Sequence, residues 1–171
     1  MPKTAEPAIG SSNPFEEGLK VEVWTNKGKE GLIFAEGDTI EVHVRSNRPC
    51  NIRLAYHLAD GRRILPTGED SDPLEAGGAT PLEKVWVFEC SPPFGAEFLY
   101  VFASTATFER VDVTKESGYW VLNEETKQFV SVTRGIKPLQ PKDSRAEASL
   151  MLTTLPRNKL PQDPNRDTKN R

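Results

Sequence analysis

His43 and His57 are the chain's two histidines, and each falls on an outward position of an alternating run. If those runs are adjacent strands, the rings could chelate a metal, with Glu41 or Asp60 as the further ligands at hand. Surface histidines are the plainer expectation, and no metal or other cofactor is expected. Cys50 opens one extended run and Cys90 closes another. In an antiparallel pair a start and an end share one edge of the sheet, so a disulfide is open to them, outside the cytoplasm only. Buried free thiols are the competing expectation, and neither cysteine has a recognisable histidine beside it to make it a nucleophile. Trp24, Trp86 and Trp120 could line a carbohydrate or peptide groove if exposed together, the alternative being core or edge packing.

The remaining chemistry is thinner. Glu69, Asp70, Asp72 and Glu75 crowd one loop, but their spacing lacks the central glycine and final glutamate of a twelve-residue calcium loop. Phosphate-binding, dinucleotide-binding and nucleophile-elbow motifs are all missing, and nothing orders Ser, His and Asp into a triad. These residues point away from an enzyme.

The elements that position them read as β throughout. Leu19, Val21 and Val23 alternate with Lys20, Glu22 and Trp24, and Ile40, Val42 and Val44 with Glu41, His43 and Arg45. Ile52, Leu54, Tyr56 and Leu58 form an inner row with Arg53 and His57 outside, and Asp60-Gly61 signals a hairpin into "RRILP", where Pro66 must end the pairing or sit at an edge. The run 67–82 is a long polar loop. In "EKVWVFEC", Trp86 and Phe88 share one face, Val85 and Val87 the other. "SPPFG" then turns into Glu97–Ser104, expected as the neighbouring strand. With Phe98, Tyr100 and Phe102 on one face and Leu99, Val101 and Ala103 on the other, that strand belongs at the centre of a sheet. Residues 107–117 suggest one helical turn, "GYWVLN" and "QFVSVT" a hairpin, and Ala146–Leu155 a last strand. Eight or nine short strands make an all-β antiparallel sandwich, with a small barrel as the alternative.

Length and charge fit one domain with tails. At 171 residues, with 36% hydrophobic and 27% charged residues, the chain can bury a sizeable core. Residues 1–17 are expected to be a disordered leader, 18–155 the sandwich, and 156–171 a disordered polar basic tail. Residues 1–133 carry 13 Lys+Arg against 21 Asp+Glu, so the body is acidic and nucleic acid is not its expected partner. No run of 18 apolar residues spans a membrane, and the start does not read as a signal peptide. The expected compartment is the cytoplasm, or the periplasm or cell envelope if an export signal precedes this sequence.

Gly37-Asp38, Asn47-Arg48-Pro49, Ala59-Asp60-Gly61 and Pro92-Pro93-Phe94-Gly95 with Glu97 occur in an order that resembles the bacterial family of domains of unknown function, DUF4384. The similarity covers roughly residues 18–155. It implies an immunoglobulin-like sandwich that accompanies other domains, and it implies no reaction. The expected role is a non-enzymatic accessory or protein-interaction domain that engages another protein or another region of its own chain. A lectin-like module using the tryptophans is the alternative.

Overall fold

The computed structural model describes residues 18–66, 72–74, 82–108, 111–116, 119–123 and 144–159. The leader, most of the acidic loop with Glu69, Asp70 and Glu75, the run 128–133 and the tail from 160 lie outside the described residues, as does the side chain of Asp72.

The strands are β1 (Val21–Thr25), β2 (Ile33–Ala35), β3 (Thr39–Ser46), β4 (Cys50–His57), β5 (Arg63–Leu65), β6 (Asp72–Leu74), β7 (Leu82–Glu89), β8 (Ala96–Ser104), β9 (Val113–Glu116), β10 (Tyr119–Leu122) and β11 (Arg145–Leu155). They form two sheets. The smaller runs β1-β3-β7; the larger runs β2-β11-β8-β4-β5-β10-β9, with β6 beside β4. All pairs are antiparallel except β2 with β11. The all-β sandwich expected from alternation is what the chain forms. β6 and β9 exceed the expected strand set because pieces of 3 and 4 residues are too short for alternation to be visible.

The interior lies between the sheets. Val23, Ile40, Val42 and Val44 project from the small sheet onto Phe34, Ile52, Leu54, Leu99, Val101, Leu150 and Leu152 of the large one. Each such buried side chain is worth about 1.5–3 kcal/mol. β8 lies between β4 and β11, the central place its two apolar faces require. Its outer face meets a second, smaller cluster of Ala55, Leu65, Phe102, Val111 and Leu122.

Four expectations are corrected. The helical turn expected in residues 107–117 is instead strand β9 at Val113–Glu116, which pairs antiparallel with β10. Arg53, read as outward and solvated, is fully buried, with its guanidinium 4.7 Å from the Phe108 ring. Its face of the sheet is outward from the sandwich, yet the second cluster covers it. β7 and β8 are not neighbours: "SPPFG" carries the chain from the small sheet to the large one, with a cis Pro92–Pro93 bond. Finally, the ordered body continues past Leu155. A 3-10 turn at Arg157–Lys159 lets Arg157 donate to the Glu36 carbonyl and to Asp38, both at 2.9 Å.

Candidate functional site

The crossover, the β4–β5 hairpin and the end of β11 converge at one end of the sandwich. Gly61, at φ 88°, closes the hairpin, where the Leu58 N–H donates to the Arg62 carbonyl at 2.8 Å. Asp60 accepts from the Arg62 N–H at 2.9 Å and from its Nε at 2.7 Å, and an Arg62 Nη reaches the Tyr119 hydroxyl at 3.5 Å. The crossover is pinned to β11, because the Gly95 N–H donates to Thr154 Oγ1 at 3.1 Å and the Thr154 N–H to the Gly95 carbonyl at 2.9 Å. Gly95 has φ 153°, and a Cβ there would lie 2.9 Å from that of Ala59, so the close approach needs glycine.

A cavity of about 370 Å³ opens among these elements. Tyr56, Leu58, Ile64, Phe88 and Tyr119 supply apolar and aromatic wall, Cys90 and Glu97 lie deep, and Arg62 and Glu89 contribute charge. Alternation explains the carboxylate. Glu97 occupies the same inward row of β8 as Leu99 and Val101, two residues nearer the crossover. Tyr56 pairs with Leu99 across the β4–β8 ladder, and its hydroxyl donates to Glu97 at 2.5 Å. Burial pushes the Glu97 carboxyl above its ordinary range, against the pull of hydrogen bonds from Tyr56, Thr154 and the Ala59 backbone. Burial, then the bond to Glu97, pushes the Tyr56 hydroxyl well above its ordinary value. Burial also raises Cys90, followed by the nearby Glu97 charge. Tyr56 and Cys90 are therefore both held in their protonated forms.

The residues singled out in the sequence are dispersed. His43 lies on the outer face of the small sheet, stacked on Trp24 at 5.4 Å and held between Glu41 and Glu83 at 3.3 Å each. His57 lies on β4 in the other sheet, beside Phe98 on its outer face. The two histidines are not on adjacent strands, because the chain changes sheet between β3 and β4. No group of three or more His, Cys, Asp or Glu suited to a metal occurs among the described residues.

Cys50 and Cys90 are both free and buried. Cys50 follows the Ser46 end of β3, whereas the Cys90 N–H bonds Asp38 just before the Thr39 end. Eight residues of strand separate those ends, on the order of 20 Å, far beyond disulfide reach. The expected shared edge fails because β7 pairs with β3, not β4.

The tryptophans do not share a surface. Trp24 faces out from the small sheet under Arg45; Trp86 packs inward against the main core; Trp120 packs on the second cluster. No groove combines all three.

Sequence reasoning named Glu97 only within the proline-turn motif. Its signal was the inward row of β8 extended by one more step, which places an acid where the pattern requires a hydrophobe. No family model matches the chain, and no curated protein or solved structure matches it.

Proposed function

We propose that this chain is a non-enzymatic interaction domain that takes an extended segment of another polypeptide along the edge of β7 that, among the described residues, pairs with no strand. One observation carries this reading. Among the described residues β7 is an edge strand of 8 residues, while the other edge strands, β1, β2, β6 and β9, have only 5, 3, 3 and 4. Sheet proteins ordinarily keep edges short or blunted, since an open edge templates pairing with another chain. On β7, Val85 and Val87 are exposed as well.

The ladder fixes which amides are available. The Cys90 N–H donates to Asp38 of the small sheet's opposite strand end, so in antiparallel alternation Phe88, Trp86 and Lys84 bond β3 while Val87 and Val85 direct theirs outward. The cavity supports the same reading, since it joins Val87, Phe88 and Glu89 of β7 to Ile64 of β5 and Tyr119 of β10. A strand added beyond β7 would lie over β5 and β10 and gain both main-chain bonds and side-chain pockets. A place among bacterial accessory domains of the DUF4384 kind, with an immunoglobulin-like sandwich, is compatible with this role.

The test is selection of extended peptides from a displayed random library, followed by amide exchange on the complex. Bound peptide is expected to protect the amides of Val85 and Val87. Val85→Pro removes one outward N–H without touching the β3 ladder, and should abolish binding while the fold persists. Peptides that bind elsewhere, with β7 amides unchanged, overturn the reading.

A further inference from the structure

We propose that the cavity beside β7 receives a lysine side chain of the docked segment, its ammonium pairing with Glu97. This rests on the strand-docking reading above. An added strand sends every second side chain inward, toward β5 and β10, where the cavity lies. At about 370 Å³ the cavity holds one long side chain together with water.

The charges of the site favour a cation. Among the described residues that line it, the acids are Glu97 and Glu89, and the one base, Arg62, is already held by Asp60 at 2.7 Å. Glu97 is 3% exposed, and a carboxylate so placed is costly to ionise unless a cation accompanies it. Among the described residues its donors are Tyr56, Thr154 and the Ala59 backbone, three partners for roughly four lone-pair positions, which leaves one acceptor position for a ligand. A single remaining position suits the compact ammonium of lysine better than the planar, two-pronged guanidinium of arginine. Tyr56, Leu58, Ile64 and Phe88 offer the apolar wall against which a four-carbon stem packs.

The experiment has two arms on the full chain. In the first, n-butylammonium is titrated while the ¹³C signal of the Glu97 carboxyl and the ring signals of Tyr56 are followed by NMR. Saturable shifts are expected in the wild type and equally in Val85→Pro, whose edge is blocked but whose cavity is intact. Absence of any shift overturns the lysine proposal without a variant that might fail to fold. In the second arm, peptides selected on the β7 edge are scanned with lysine, norleucine, arginine and glutamate at each position. Lysine is expected to bind about tenfold more tightly than norleucine at one inward position, a preference lost in Glu97→Gln. Edge-bound peptides with no lysine preference overturn the pocket assignment and leave strand docking standing. Butylammonium shifts with no edge-bound peptide do the reverse. Preference for norleucine or glutamate identifies an apolar or anion-binding cavity and sinks the proposal.

Discussion

Tyr56 and Glu97 illustrate how one polar pair survives inside an apolar layer. The tyrosine hydroxyl hydrogen-bonds a carboxyl that burial drives toward its neutral form, a drive the bond offsets only in part. Tyr56→Phe removes that donor and leaves Glu97 short of a partner, so chemical denaturation should register a loss of about 1–3 kcal/mol. The pH dependence follows from the raised carboxyl. Between the unfolded and folded pKa values the folded chain keeps a proton the unfolded chain has released. That stability is complete below the unfolded value and is lost as pH rises through the folded one. Asp38, lowered by the Ala35 N–H and Lys27, acts oppositely, its contribution fading as pH falls. Melting Glu97→Gln beside the wild type from about pH 4 to 8 should therefore show the variant gaining on the wild type toward the upper end. If the two curves run parallel, Glu97 is not the group responsible. Both cysteines are buried and raised by that burial, so a thiol reagent should label neither quickly in the folded chain. Two equivalents should react after unfolding without reductant, and a result of none would restore the disulfide.

At the level of elements, the crossover between β7 and β8 carries the most constraint. It must leave one sheet, pass Ala59 and enter the other with Glu97 facing inward. Gly95 alone meets the steric demand, and Gly95→Ala forces a Cβ to 2.9 Å from that of Ala59 in an unfavourable backbone region. A cost of about 1–3 kcal/mol is expected in equilibrium unfolding, with shifts in NMR signals confined to the hairpin and β11 end. A neutral outcome would mean the crossover is looser than these contacts indicate. The proline turn was legible as a rigid reversal, but its role as a sheet-to-sheet connection was not. Either connection follows the same extended run up to Cys90 and leads into one with the same alternation.

For the molecule as a whole, the large sheet separates two apolar clusters. Leu99 belongs to the first and Leu122 to the second. Each Leu→Ala change is expected to cost about 2–5 kcal/mol, with the Leu99 site at the upper end because it sits among more buried neighbours. With no shared partners across the sheet, the two costs should add to within about 0.5 kcal/mol in the double variant. Strong coupling, measured by the same denaturation curves, would instead mean that the clusters act as one core.

What the amino-acid order determined by itself was local. Period-two alternation marked the long strands, β-branched and aromatic runs marked those apolar on both faces, and Asp60-Gly61 marked the hairpin, because each signal resides within a few consecutive residues. Tertiary structure alone decided which strands share a sheet. That choice separated His43 from His57 and Cys50 from Cys90, scattered the tryptophans, covered Arg53, and brought Tyr56, Cys90 and Glu97 to one cavity. Pairing between distant strands depends on how the two layers fill each other's surfaces, and no single run of sequence carries that information.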